Sequence, residues 1–490
     1  MSESMLTSPT RQRWILISIA FTSFIVALDT YIVNVSLPAI ARYFNVGTSD
    51  VVNVMVAYLL VITSTLLLFG KLGDRFGFKK LFVLGFCVFT AGSLLCGISP
   101  TLGILIGARC LQGIGGAMLY AIGTALIPRH LPEHRRGFAF GITSTSAGLG
   151  MALGAPIGGF ITQFLSWHWI FLINVPVCIA AVFVALRVIP ADKTAAAVRQ
   201  KDPPFDYPGA ILSFFGLLAL VYALNRGEEA GWTSPFVISL FVAAAVLLTS
   251  FFIRERRCRD PIIDLALFNI TVFRYAALSG LAAFALYAGN NFLIPFYLIY
   301  NKGLSMSMAG LVIMIYSVVY MTVSPVMGLL SDRISPTTLS SAGMASAMIA
   351  CAFFAFVLKL SGLLPVIVFI VWLALSYAAF ISPNNNRLMC AAPADRQGIA
   401  SGIYRTTQML GMVIGVSLLE TIFSLHIPRT ALDTSLSQAT VPQGILLNGF
   451  HSAYLAGAVL CGIGLAFSLL AKTKAQTKEV SHICHEDRHQ

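Results

Sequence analysis

Gly70-Lys71-Leu72-Gly73-Asp74-Arg75-Phe76-Gly77-Phe78-Lys79-Lys80-Leu81-Phe82 sets four cations and a carboxylate between two long apolar runs. Val51–Phe69 before it and Leu81–Ile98 after it are each about long enough to cross roughly 30 Å of hydrocarbon as helix. The charged stretch therefore reads as a tight turn at a membrane surface. Lys and Arg concentrate in the cytoplasmic loops of membrane proteins, so Lys71, Arg75, Lys79 and Lys80 place this turn inside the cell.

Composition extends that reading to the whole chain. At 490 residues and 57% hydrophobic content, with 11% charged residues, the sequence carries more apolar surface than a water-soluble fold can hide. It is expected to be an all-α integral membrane protein. Its net charge of +12 sits between the apolar runs, where it orients the protein and meets anionic lipid head groups, so membrane lipid rather than nucleic acid is the expected contact. No GxxxxGK[ST] loop is present, which argues against a bound nucleotide and against ATP drive. Seven of the nine cysteines lie in apolar runs without paired spacing and read as core filler. Cys484, beside His482, His485 and His489, belongs to a solvated tail, and no metal site is expected.

Runs of about 18 to 27 mostly apolar residues give fourteen spans. Six run from Trp14–Ser36 to Trp169–Val188, two more are Tyr207–Leu224 and Pro235–Ile253, and six follow from Val272–Ile299 to Phe450–Leu470. The expected domains are a six-helix half at 1–190, a linker and inserted helix pair at 191–270, a second six-helix half at 271–472, and a tail at 473–490. Most of the 32 Lys and Arg then fall on one side; Arg42, Arg226, Lys302, Lys359 and Arg429 fall on the other, and Arg109 and Arg405 fall inside spans. An even count, with Arg11, Arg13, Lys472 and Lys474 at the ends, predicts a multi-pass protein of the plasma (inner) membrane with both termini cytoplasmic.

The opening stretch, read as Gly-x-Leu-x-Asp-Arg-x-Gly-x-Lys, resembles the signature loop of the major facilitator superfamily of secondary transporters. Gly328-Leu329-Leu330-Ser331-Asp332-Arg333 is a weaker echo in the second half. Leu28–Pro38, Trp167–Pro176, Asp206-Tyr207-Pro208-Gly209 and Asp260–Leu265 resemble marks of its fourteen-helix drug:proton antiporter branch, with His168 where Arg is usual. The resemblance implies that Gly70, Asp74, Arg75, Gly77 and Lys79 form a gate on the cytoplasmic side, with Phe78 where the family carries a basic residue. It implies that Arg109, in Leu105-x-x-x-Arg109-x-x-Gln112-Gly113-x-Gly115, takes part in proton handling. Gly150, Gly154, Pro156, Gly158 and Gly159 resemble the superfamily's antiporter helix, although small residues at such spacings also serve plain helix packing.

Residue chemistry adds candidates of its own. Asp29 lies about two thirds of the way across the first span, where a carboxylate can take a proton or meet a cation. Glu420, near the outer end of the thirteenth, is a second acid, which can equally reach interfacial water. Amides in apolar helices need partners, which makes Asn34, Gln112, Asn290 and Asn291 pocket candidates with Tyr297 and Arg405. Tyr58, Tyr120, Tyr287, Phe292, Tyr316, Tyr320 and Tyr377 are further aromatics able to line a cavity, and Asn384–Arg387 reads as a helix cap. The expected function is export of amphiphilic or cationic small molecules by proton-coupled antiport, through alternating access, with the proton gradient in place of any cofactor and no enzymatic chemistry. An exporter of one endogenous metabolite is the alternative, and an uncoupled lipid-moving or sensory protein the third.

Overall fold

In hydrocarbon no water satisfies the backbone, so each apolar run must close its own hydrogen bonds as helix. The computed structural model describes residues 8–46, 48–190, 205–258, 260–304, 306–426 and 443–471. The linker cations Lys193, Arg199 and Lys201, Arg429, the tail with Cys484, and the side chain of Asn34 lie outside what is described. Among the described residues the fold is all-α, and fourteen helical spans are long and apolar enough to cross a membrane. The helices are α1 (Pro9–Phe44), α2 (Thr48–Phe76), α3 (Phe78–Gly97), α4 (Leu102–His130), α5 (Arg136–Phe164), α6 (Trp169–Leu172) and α7 (Asn174–Val188). There follow α8 (Tyr207–Ala230), α9 (Pro235–Glu255), α10 (Thr271–Phe296), α11 (Met306–Ser331), α12 (Pro336–Val357), α13 (Leu364–Ala391), α14 (Gln397–Ser424) and α15 (Gln443–Leu470). The short α6 and α7 together make the sixth span.

Two units emerge. The first comprises Met1–Tyr222, Ser239–Ile270 and Met389–Thr406, the second Ala223–Ile238, Thr271–Leu388 and Thr407–Gln490. In the first, α1 packs on α5, α2 and α3 on α4, and α3 on α7; in the second, α10 and α12 pack on α15.

Two boundaries differ from expectation. The turn at Gly70–Phe82 shrinks to one residue: α2 runs on to Phe76, and Gly77, at φ 96°, alone breaks the path before α3. A left-handed φ is available to glycine without a Cβ clash, so the charges can stay on helix. Asn384–Arg387 is not a cap. It lies inside α13 and is buried, because Asn384 donates to the Ala276 carbonyl at 3.1 Å and accepts from Arg387 at 2.9 Å.

The α1–α5 seam fixes the helix that carries Asp29. Gly150, Gly154 and Gly158 recur every four residues and let the backbones close: a Cβ on Gly154 would lie 2.7 Å from Tyr31 Cβ, and one on Gly158 2.6 Å from the Ile32 carbonyl oxygen. Ser36 and Thr162 continue the ridge with their hydroxyls 2.7 Å apart. Gly159 stands off the seam, with ordinary clearance to Val35, and Pro156 sits inside α5 on an exposed face.

Candidate functional site

Asp29 on α1 and Arg109 on α4 are both 0% exposed. Removing either charge from water is costly, so each survives only with close partners. Arg109 Nη1 donates to Asp29 Oδ2 at 2.7 Å and to Gln112 Oε1 at 2.6 Å, and Nε donates to the Val54 carbonyl at 3.3 Å. Gln112 lies one turn on from Arg109 and turns its amide back: Nε2 donates to Asp29 Oδ1 and to Ser93 Oγ, each at 2.8 Å. Asn174, at the start of α7, donates to the same Oδ1 at 2.9 Å. The Tyr58 ring of α2 lies 4.0 Å from the guanidinium carbon, a cation–π contact in a dry setting. Arg109 Nη2 is buried with no acceptor among the described residues.

The structure thus joins Asp29, Arg109 and Gln112 into one network and adds Ser93, Asn174 and Tyr58. Asn174 lies in the quoted Trp167–Pro176 stretch, where an amide in an apolar run is the signal that could have found it. Ser93 carries no such signal.

A second cluster surrounds the opening motif. Asp74 Oδ1 accepts from the Gly398 N–H at 2.9 Å and Oδ2 from the Ile399 N–H at 2.8 Å. These amides belong to the first turn of α14, which has no intrahelical partners for them, so the carboxylate caps the helix and complements its dipole. The approach is close because both sides are glycine: a Cβ on Gly70 would stand 2.5 Å from the Gly398 carbonyl oxygen. Lys71 and Arg75 both pair with Asp260, Arg75 at 3.2 Å, and Arg396 pairs with Asp264. The strap Asp260–Asp264 after α9 therefore ties the end of α2 to the start of α14. Lys79 Nζ donates to the Leu186 carbonyl in the last turn of α7 at 2.7 Å.

Other candidates separate. Arg405 Nε donates to Thr124 Oγ1 at 2.8 Å, and its guanidinium lies 4.9 Å from the Tyr120 ring centroid, so Tyr58 and Tyr120 are platforms for arginines. In the second unit, Asn290 is buried and accepts from Tyr454 Oη at 3.3 Å; Asn291 is partly buried beside it, as is Glu420 near the end of α14. Tyr297 is buried and packed: its ring lies 5.3 Å from those of Phe354 and Phe450, and its hydroxyl donates to the Leu358 carbonyl at 2.8 Å. Four tyrosines do converge. Tyr287 stacks on Tyr377 at 4.9 Å, with Tyr320 at 5.8 Å from Tyr377 and Tyr316 at 5.9 Å from Tyr287.

The first unit thus holds a buried acid–arginine pair and an aspartate near the end of α2 that caps another helix. The model of the Major Facilitator Superfamily matches residues 19–416. The chain belongs to that superfamily. It is 32% identical to the riboflavin transporter RibZ of Clostridioides difficile, over 95% of this chain and 98% of that one. It is 31% identical to the multidrug resistance protein Stp of Mycobacterium tuberculosis, over 86% of this chain and 78% of that one. The human organic anion transporter MFSD10 (TETRAN) shares the fold, with a TM-score of 0.67 at 12% identity, covering 94% of this chain and 100% of that one. Like other members of the superfamily, this is a multi-pass membrane transporter, and its fourteen spans and drug-resistance relatives agree with the fourteen-helix branch.

Proposed function

We propose that the protein exports amphiphilic or cationic small molecules in exchange for protons, by alternating access of two helical halves, in the plasma (inner) membrane with both termini cytoplasmic. The observation that carries this is the dry Asp29–Arg109 pair. A proton arriving at Asp29 Oδ2 competes with Arg109 Nη1 for the same oxygen, so protonation loosens the arginine. Its unsatisfied Nη2 gives it reason to move toward another acceptor. The proton gradient supplies the energy, and no cofactor is called for. Release of the two Asp74 hydrogen bonds from α14 is the corresponding step at the gate. The tyrosine cluster offers flat faces to a small-molecule substrate. Relatives named for drug resistance support the reading.

Transport of one endogenous metabolite is the second reading, favoured by a relative named as a riboflavin transporter that matches over nearly its whole length. Inverted vesicles with an imposed inside-acid gradient distinguish the two. Collapse of the gradient by several cationic dyes or biocides, abolished by Asp29→Asn, supports drug:proton antiport. Collapse by a flavin alone supports the second reading. Silence toward the whole panel from folded protein would sink proton coupling.

A further inference from the structure

The inserted helices bring together two acids that the transport reading does not use. Asp206 immediately precedes α8 and Glu255 ends α9, and each is 3% exposed. One oxygen of each is satisfied. Asp206 Oδ1 accepts from the Gly209 N–H at 3.0 Å and from Arg254 Nε at 2.7 Å, and Glu255 Oε2 accepts from the Ile263 N–H at 3.1 Å. The other two oxygens, Asp206 Oδ2 and Glu255 Oε1, are buried with no hydrogen-bond donor among the described residues. Both face one spot: a Cβ built on Gly209 would run into Asp206 Oδ2 and lie 3.0 Å from Glu255 Oε1. The surrounding ionisable groups do not fill the gap. Among the described residues, Arg254 is engaged on the far oxygen, Lys71 is paired with Asp260, and the Cys258 thiol, pushed up by burial, interacts with Asp206 only as a weak sulfur donor.

Two ionised carboxylates cannot comfortably turn unpartnered oxygens toward one buried point, since each lacks a donor and each repels the other. One proton removes both penalties. We propose that Asp206 and Glu255 form a proton-sharing pair, with Glu255 Oε1 carrying the proton and donating it to Asp206 Oδ2. The asymmetry follows from the partners. Burial works against ionisation of Asp206, but the Gly209 N–H, Arg254 and the Cys258 thiol together outweigh it and hold that carboxyl below its ordinary range. Glu255 has no ion-pair partner among the described residues and keeps the proton. Because Glu255 Oε2 also holds the Ile263 N–H, between Asp260 and Asp264, this second protonation site is wired to the strap that grips Lys71, Arg75 and Arg396.

The test needs no transport activity. Full-length protein in lipid nanodiscs is examined by infrared spectroscopy in heavy water at neutral pH for the C=O stretch of a protonated carboxyl. The expected band disappears in Glu255→Gln, whose amide can donate to Asp206 Oδ2 in place of the proton. It also disappears in Asp206→Asn, which donates the other way, and it persists in Asp29→Asn and Glu420→Gln. A wild-type protein without the band, or a band untouched by both Glu255→Gln and Asp206→Asn, overturns the proposal. Thermal stabilisation by sodium chloride but not choline chloride, without the band, would place a metal ion there and overturn it as well.

Discussion

The two units bury different chemistry. Among the described residues, Asp29, Lys71, Arg109, Asp206 and Glu255 are buried ionisable side chains of the first unit, and Arg387 is the buried Asp, Glu, Lys or Arg of the second. The second unit gathers aromatic rings instead, with Tyr287, Tyr316, Tyr320 and Tyr377 in mutual contact. Buried charges are costly wherever they occur, whereas aromatic clusters are favourable and offer a broad face to apolar ligands. If the proposed roles hold, substrate range can change in the second unit without altering a charge of the first.

The contrast is broken most forcefully at Arg109. Arg109→Leu leaves Asp29 buried without its ion pair, an expected loss of about 3–5 kcal/mol. It should appear as a lower thermal midpoint and poor folded yield. The double variant Asp29→Asn/Arg109→Leu removes both charges and should recover part of that loss. If the double is as unstable as the single, the pair is not the unit that the geometry suggests.

The next effect tests what holds Asp29 in place. Gly158→Val forces a branched side chain against the Ile32 carbonyl and should cost about 1–3 kcal/mol, while Gly159→Ala, off the seam, should be close to neutral. Equal midpoints for the two would mean that α1 and α5 do not need their close approach. Aromatic positions of the second unit give a useful reference, because a ring-to-Ala change there disturbs packing without touching a charge.

How much of this is legible in sequence depends on which quantity is one-dimensional. Span length and the placement of Lys and Arg are, so the spans can be read directly, while the helix ends that absorb the charges of Gly70–Phe82 cannot. Asp29, Arg109 and Gln112 stand out because each is polar in an apolar run. Ser93 does not, since a helical serine is usually satisfied by its own helix, and its role depends on how α3 is rotated against α4. Asp260 is a similar case: its partner Arg75 lies 185 residues away, and only the folded strap brings the two together. Asn384–Arg387 misleads for the opposite reason, because polarity usually marks a surface and here it is buried in α13, where Asn384 bridges Arg387 and the Ala276 carbonyl of α10.

A smaller effect is expected at the gate. Asp74→Ala strips two acceptors from the first turn of α14, and loss of a helix cap costs about 0.5–2 kcal/mol. Faster hydrogen exchange at the Gly398 and Ile399 amides is the direct measurement, and Asp74→Asn, which keeps one acceptor, should fall between the two. Unchanged exchange in Asp74→Ala would show that the cap is supplied by something else.

The smallest effect sharpens the comparison most. Tyr377→Ala removes the ring that stacks on Tyr287 and touches Tyr320, and an aromatic pair contributes about 0.5–1.5 kcal/mol beyond its buried area. If the cluster contacts substrate, the apparent KM for flat aromatic compounds should rise by about threefold to tenfold. Proton release per substrate exported should stay at the wild-type value, because no charge of the first unit is altered. A variant in which the stoichiometry falls along with affinity would tie the tyrosines to charge movement and dissolve the division of labour between the units. A variant with unchanged KM across a broad substrate panel would return the cluster to ordinary packing, and leave recognition to be sought around Asn290 and Asn291.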